Sequence, residues 1–287
     1  MASKLPETKL QNEKGLKLYC RYWNEDEQQE KTDIKGLVLI VHGYCEHCLF
    51  YTELAELLKK QGFYVFSHDH VGHGQSDGDR AHIHSFDEYV QDVLFHVDKV
   101  KQEFPGKPTF LLGHSMGGTI SVLTAMSRPD FFKGVVLIAP LIVPDKKAAS
   151  PWKVAAGKMA AKVLPQMIIA KIDPKNVTRE EENVKKYIED PLVFHGGIKC
   201  RWGVAMLDAL MRIKSSFPEI QWPFLILHGT KDALCELEGS QLMYDKASST
   251  DKKLKIFDGA YHQLHKELPE VKNETFDLIS SWLNSHA

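Results

Sequence analysis

Two hydrophobic periods take turns along this chain. Leu16, Leu18, Cys20 and Tyr22 alternate with Lys17, Tyr19, Arg21 and Trp23. That is the period of a strand with two unlike faces, and it suits the edge of a sheet. Leu37 to Val41 is instead unbroken in its apolar character, as in a strand buried on both faces of a parallel sheet. Leu54, Leu57 and Leu58 then fall at helical spacing within Tyr51 to Lys60, Gly62 closes that helix, and Phe63 to Ser67 reads as the next strand. A second amphipathic helix is predicted from Ser85 to Phe104, with Ser85 as N-cap and Glu88 three residues on completing a capping box. Phe110 to Leu112, Val135 to Ala139, Phe224 to Leu227 and Leu254 to Phe257 are further short strands, and Thr119 to Met126 is a helix of small and apolar residues. Strands separated by helices specify an α/β fold with a mostly parallel central sheet flanked by helices.

One connection breaks the rhythm. More than eighty residues separate the Val135 and Phe224 strands, far more than an ordinary crossover needs. Residues 141–221 are therefore expected to be an inserted helical cap within a single domain spanning 1–287. Pro151 to Leu164 carries Trp152, Ala156, Met159 and Val163 on one helical stripe, with Lys158 and Lys162 away from it, and Pro165 stops the helix. The stripe has two readings: a face packed into the core, or an apolar side, continued by Met167, Ile168 and Ile169, that meets a lipid surface or lines an acyl tunnel.

Composition narrows the classes. A chain of 287 residues can bury a large core, and its net charge of −2 with both signs interspersed gives no electrostatic footprint for nucleic acid. Met1 to Leu10 is polar and charged, without the apolar core of a signal peptide, and no run approaches membrane-spanning length. The expectation is a cytoplasmic chain, peripherally membrane-associated but not crossing. Five cysteines at irregular spacings fit reduced thiols better than a disulfide framework. Oligomeric state is left open.

Chemistry is concentrated at Gly113-His114-Ser115-Met116-Gly117. Here Ser115 falls on the turn between a buried strand and a helix, the setting of a nucleophile elbow, and the flanking glycines with Gly118 let strand and helix approach. A serine nucleophile needs a base to take its proton and an acid to fix the base's tautomer. In this architecture both follow the serine, acid first, each in a loop after a late strand. Asp232 stands after Phe224-Leu-Ile-Leu-His-Gly-Thr-Lys, and His262 after Leu254-Lys-Ile-Phe-Asp-Gly-Ala-Tyr. Ser115, Asp232 and His262 are thus the expected triad, with the backbone N–H groups of Tyr44 and Met116 as oxyanion donors.

Rivals are weighed on position. His265, three residues past His262, is a second candidate base, though it lies further from the strand end; Asp258 suits a turn, and His114 a structural role. His68-Asp69-His70-Val71-Gly72-His73 and Cys45-Glu-His-Cys48 superficially suggest metal or redox sites. The first lacks a patterned acidic ligand and the second lacks a partner half-site, so no metal or other cofactor is expected.

The chain resembles the monoglyceride (monoacylglycerol) lipase family of α/β-hydrolases nearly end to end, from Cys20-Arg-Tyr-Trp23 to the C-terminal helix. The pieces that carry this are His68-Asp-His-Val-Gly-His-Gly-Gln-Ser76, Phe110-Leu-Leu-Gly-His-Ser-Met-Gly-Gly118 and Gly259-Ala-Tyr-His-Gln-Leu-His-Lys-Glu-Leu-Pro-Glu270, and Tyr187 with Asp190-Pro-Leu192 looks like the family's cap. The resemblance implies an α/β-hydrolase fold and hydrolysis of monoacylglycerols to glycerol and fatty acid by the same triad. It also implies that Glu46, Tyr187 and His265 bind the glycerol end and that Cys235 lies near the catalytic acid. The departures fall in one loop. Tyr44 and Cys45 stand where a small residue and a glycine are usual, and Cys48-Leu-Phe50 replaces a Ser-Gly-Arg pattern. Phe50 removes a donor to substrate hydroxyls. Lysophospholipids and other esters therefore stay open as substrates, as does a non-catalytic lipid-binding scaffold, for which the altered loop is the support.

Overall fold

The computed structural model describes residues 8–24, 33–144 and 150–287. Its strands are β1 (Lys9–Gln11), β2 (Lys17–Tyr22), β3 (Gly36–Val41), β4 (Phe63–His68), β5 (Thr109–His114), β6 (Gly134–Ile138), β7 (Ile168–Ala170), β8 (Ile198–Lys199), β9 (Phe224–Gly229) and β10 (Lys252–Phe257). Its helices are α1 (Thr52–Lys60), α2 (Phe86–Glu103), α3 (Met116–Ser127), α4 (Pro151–Val163), α5 (Glu181–Glu189), α6 (Cys200–Ser215), α7 (Leu237–Lys246) and α8 (Pro269–His286). Seven expected strands and the helices at 52, 86, 116 and 151 stand where the sequence places them, within a few residues. The polar N-terminus (through residue 7) and the charged loop after Asn24 (25–32) lie outside the described residues.

Eight strands form one sheet in the order β1-β2-β4-β3-β5-β6-β9-β10. From β4 to β10 every pairing is parallel; β2 joins β4, and β1 joins β2, antiparallel. The expectation that β2 forms the edge is therefore corrected: β1 covers it. Successive side chains of the central strands feed two separate cores. Leu37, Leu39, Leu111, Val135 and Ile226 pack with α2, α3 and α6 on one face. Val38, Ile40, Phe110, Val136 and Leu225 pack with α1 and α8 on the other. Burial on both sides is why these strands are apolar without alternation.

The connection from β6 to β9 holds α4, α5, α6 and the β7–β8 ribbon. Trp202, Ala205, Met206, Ala209, Leu210 and Ile213 of α6 join the main core. By contrast, α4 lies outside it. Its small residues Ala160 and Ala161 meet Cys200 and Val204 of α6, which turns Trp152, Met159 and Val163 outward at 71, 63 and 74 % exposure. The core-packing reading of the stripe is thereby overturned: small side chains allow the close helix approach, so the large ones face away. Among the described residues no helix is long and apolar enough to cross a membrane.

At the N-terminus of α2 the capping box forms: the Ser85 hydroxyl accepts from the Asp87 N–H at 3.2 Å and Glu88 accepts from the Ser85 N–H at 3.2 Å. Asp92, on the buried face of this helix, accepts from Asn12 Nδ2 at 2.9 Å, while its Oδ2 makes no hydrogen bond among the described residues. Burial, against the Asn12 bond and with Glu88 and Glu13 nearby, pushes its pKa up to about 7. The native state therefore holds a proton on Asp92 that the unfolded chain releases near pH 4. Its contribution to stability is full below that point and is lost as pH rises through 7. Asp92→Asn should remove this dependence, so that denaturant midpoints of wild type and variant diverge from pH 5 to pH 8 in the variant's favour. Parallel curves would refute the assignment.

Candidate active site

Strand β5 ends and α3 begins at Ser115, which sits at φ +54° and ψ −120°. This left-handed backbone costs a residue with a Cβ about 1–3 kcal/mol, and the packing of the elbow enforces it. A Cβ on Gly117 would lie 1.9 Å from the Val41 carbonyl oxygen, and one on Gly113 would lie 2.4 Å from that of Gly117. The glycines are thus required by the closeness of α3 to β3 and β5. Met116 is the first residue of α3, so its N–H has no acceptor within the helix and is directed out of the helix start.

The loops after β9 and β10 bring the other two residues together. Asp232 Oδ2 lies 2.7 Å from His262 Nδ1, both side chains being nearly inaccessible. Asp232 Oδ1 accepts from the N–H groups of Leu234 (2.8 Å) and Cys235 (3.0 Å). Burial disfavours its charge, but His262, the His228 hydrogen bond and the His262 hydrogen bond outweigh that and hold its carboxyl well below the usual carboxylate range. For His262, burial pulls the pKa down, while the Asp232 carboxylate and its hydrogen bond raise it further, and the net position is above the ordinary imidazole value.

Ser115 and His262 line one cavity of about 190 Å³ with Tyr44, Glu46, Met116, Leu141, Ile172, Val177, Tyr187, Ile198, Trp202, Leu234 and Cys235. Its walls are mainly apolar. The Tyr44 ring packs on Trp202 with centroids 4.0 Å apart, and the Tyr44 hydroxyl donates to the Gly197 carbonyl at 3.2 Å, fixing the loop after β3 against the inserted segment. Cys45 follows at φ +65°, the left-handed position at which a side chain carries about 1–2 kcal/mol of strain. Ser115 Oγ is 3.7 Å from Cys235 Sγ. Burial, reinforced by the Asp232 charge, pushes that thiol well above its usual range, so it stays protonated.

Glu46 and Tyr187, two of the three residues expected at the polar end, reach the cavity wall; His265 does not. His265 is buried behind it, stacked on Tyr51 with centroids 4.6 Å apart and edge-on to His114, and burial holds it well below the ordinary imidazole value. Nor does it touch Asp232, so as a rival base it has no orienting acid. Both oxygens of Glu46 are engaged. Oε2 accepts from Tyr51 Oη (2.8 Å) and the Gly43 N–H (3.2 Å) and lies 3.3 Å from His114 Nδ1, while Oε1 accepts from the Gln263 amide. Burial opposes a charge on Glu46, but the His114 imidazole and these bonds prevail and keep its carboxyl well below the usual range. Burial keeps His114 low against the pull of Glu46; because the Tyr51 hydroxyl donates to Glu46, its oxygen is left to accept from His114 Nδ1 at 2.8 Å. Phe50 packs edge-on to His47 and Tyr187.

Sequence reasoning missed His228, the Tyr51–Glu46–Gln263 network and the Tyr44–Trp202 wall. For His228 a signal existed. It stands four residues before Asp232 in the same stretch, and it shares the parity of Phe224 and Ile226 on β9. The histidines at and after the end of β4 pack together with His42 and His96: the His42 and His70 ring centroids are 4.1 Å apart and those of His68 and His70 5.3 Å, His68 Nδ1 lies 3.0 Å from His96 Nδ1, and His70 donates its backbone N–H to His42 Nε2. Among the described residues the one set of three metal-ligand types with donor atoms within 4.8 Å is Asp232, Cys235 and His262. Two of these already hydrogen-bond each other, which marks an acid–base pair beside a thiol. All five cysteines are free.

A serine on a strained strand-to-helix turn, sharing a cavity with an imidazole held by a carboxylate at the carboxyl ends of a mostly parallel sheet, defines the molecule as an α/β-hydrolase. A family model described as serine aminopeptidase, S33, matches residues 32–269. Monoglyceride lipase of Mus musculus is 44% identical over 275 residues, covering 96% of this chain and 89% of that protein. Monoacylglycerol lipase of Mycolicibacterium smegmatis is 34% identical over 95% of this chain and 94% of its own. Among solved structures, Paleococcus ferrophilus monoacylglycerol lipase superposes with a TM-score of 0.82 at 33% identity, covering 94% of this chain and 99% of that one. The chain belongs to the serine aminopeptidase S33 family and, within the α/β-hydrolases, to the monoglyceride lipases.

Proposed function

We propose that the protein hydrolyses monoacylglycerols to glycerol and free fatty acid, with Ser115 as nucleophile, His262 as base and Asp232 as its orienting acid. The observation that carries this reading is a strained elbow serine sharing an apolar cavity with an imidazole bonded at 2.7 Å to a buried carboxylate. His262 Nε2 takes the Ser115 proton as the oxygen attacks the ester carbonyl, and the N–H groups of Tyr44 and Met116 receive the oxyanion. The C–O bond to glycerol then breaks, the alcohol leaving with the proton from His262. Water, deprotonated by the same imidazole, cleaves the acyl-enzyme and frees the acid. This chemistry calls on no metal or organic cofactor. Glu46 and Tyr187 form the polar end near the alcohol, with His265 supporting from behind.

The cap, residues 141–221, is proposed as the part that meets the lipid. Drawing a long acyl chain from a bilayer into water exposes methylenes at about 0.8 kcal/mol each. Direct transfer from the membrane avoids that cost, and the outward row of Trp152, Met159, Val163, Leu164, Met167, Ile168 and Ile169 supports a peripheral membrane contact. Replacing Trp152 and Met159 with Asp should lower vesicle co-sedimentation several-fold and leave turnover of a soluble short-chain ester within about twofold. Equal loss in both assays would contradict a docking role.

A second reading rests on Phe50. Its ring offers no hydrogen-bond donor beside Tyr187, which favours esters with other alcohols, lysophospholipids among them, at the same triad. Glycerol release from a long-chain monoacylglycerol, run for wild type and Ser115→Ala beside a lysophospholipid and a short-chain ester, separates the two. Serine-dependent turnover favouring the monoacylglycerol is expected. Turnover of the other esters alone would move the substrate assignment, and no turnover with no labelling by a fluorophosphonate would leave a lipid-binding scaffold.

A further inference from the structure

The acid of the proposed triad is held by two imidazoles, one of which has no part in the reaction as written. His228, near the end of β9, is completely buried. Its Nε2 lies 3.2 Å from Asp232 Oδ2 and 3.1 Å from the Cys235 carbonyl oxygen, and its Nδ1 lies 2.7 Å from Ser240 Oγ on α7. Both neighbours of Nε2 are pure acceptors, so that nitrogen carries a hydrogen, and the Ser240 hydroxyl is placed to donate to Nδ1. Asp232 Oδ2 therefore lies against two ring nitrogens, His262 Nδ1 at 2.7 Å and His228 Nε2 at 3.2 Å, the latter sharing its one hydrogen with the Cys235 carbonyl, while Oδ1 receives the Leu234 and Cys235 amides. Polar hydrogens approaching one oxygen from two directions, even with one of them shared, restrain the plane of a carboxylate in a way that a single partner cannot. By gripping the Cys235 carbonyl as well, the same ring closes the 232–235 turn that sets the Cys235 thiol beside Ser115.

We propose that His228 is a positioning residue for hydrolysis: its Nε2–H, set by Ser240, orients the Asp232 carboxylate toward His262 and limits how strongly that carboxylate holds the imidazole proton. The inference rests on the triad reading. The groups that face His262 are Asp232, the His114 ring with its centroid 4.7 Å away, His265 behind His114, and the Glu46 charge. None of them is altered by a change at 228 except Asp232. With the His228 donor gone, the negative charge on Oδ2 is less compensated, His262 keeps its proton to higher pH, and less free base is present at neutrality.

The test compares His228→Leu, which cannot donate, His228→Asn, which is polar but too short to reach, and His228→Gln, whose amide can donate at similar reach. Full pH profiles of kcat and kcat/KM on a soluble ester are measured for each, with thermal midpoints and fluorophosphonate labelling to report folding. For Leu and Asn we expect kcat to fall about tenfold with KM within about twofold. The acid limb of kcat/KM should move up by about half a unit to one unit. Gln should restore both. A purely structural role would lower the thermal midpoint without moving the limb, and an unmoved limb, or a Gln variant indistinguishable from Asn, overturns the proposal. If the Leu variant does not fold, the Asn and Gln pair decides. Ser115→Ala is the control for the underlying reading: full activity there sinks the triad, whereas a dead Ser115→Ala beside an unshifted His228→Asn sinks this inference alone.

Discussion

Ser115→Ala is expected to lower kcat on an ester by about six orders of magnitude, and adding His262→Ala should lower it hardly any further. Attack and proton removal are one event, so removing either partner removes both, and what survives is rate enhancement by the oxyanion donors and by binding. Asp232→Asn should cost less, about four orders of magnitude, because the imidazole remains but in the wrong tautomer. The same arrangement sets the pH response. The His262 pKa is raised by Asp232 against burial, so the free base is lost as pH falls through a value above the ordinary imidazole range. The acid limb of kcat/KM should accordingly lie above pH 6.5. Steady-state hydrolysis of a chromogenic ester measures all three variants, and additive losses for Ser115 and His262 would argue against a shared step.

Gly117→Ala is expected to destabilise the fold by more than about 4 kcal/mol, enough to empty the soluble fraction on expression. The added Cβ would stand 1.9 Å from the Val41 carbonyl oxygen and 2.6 Å from that of His42. Both are backbone atoms, at the end of a central strand that is hydrogen-bonded on both sides, and cannot yield cheaply. The displacement would also push apart α3 and the loop carrying Tyr44, so any folded fraction should acylate slowly. By contrast, Ala at Gly106, where nothing lies within 4 Å, should be tolerated far better despite its φ of +80°. Denaturant unfolding of the two variants gives the comparison, and equal destabilisation would mean that close approach is not what the elbow glycine provides.

Much of this architecture was legible because burial on both faces leaves no alternative pattern. β3, β5 and β9 are continuous apolar runs, and each ends where a functional side chain or loop begins. Ser115 and Asp232 stand out for the same reason, a polar residue in the turn after a buried strand, whereas His262, five residues beyond the part-exposed β10, stands out by its order in the chain. β1 was not legible, since Lys9-Leu10-Gln11 offers one buried position, and without β1 the next strand reads as an edge. The stripe on α4 was legible as a stripe but not in its direction, because helical periodicity is identical whether the face meets protein or solvent. His228 carried a signal, directly after the Phe224 to Leu227 run, but its partner Ser240 lies on a different element and no local pattern joins them. The Glu46–Gln263 bond joins residues 217 positions apart, a separation that no local pattern encodes.

That last bond bears on how the site could be re-engineered. A carboxylate at the cavity wall invites the thought that exchanging it for a neutral or cationic side chain would retune which alcohols are accepted. Both oxygens of Glu46 are already engaged by Tyr51, Gly43 and Gln263, with His114 beside them, so it functions as a keystone joining the loop after β3 to the loop that bears His262. Selection of the leaving alcohol then falls to contour, to the volume left between that closed network and Tyr187, whose ring is backed edge-on by Phe50. Libraries aimed at new leaving groups should therefore vary the size of those two rings and leave the buried charge alone.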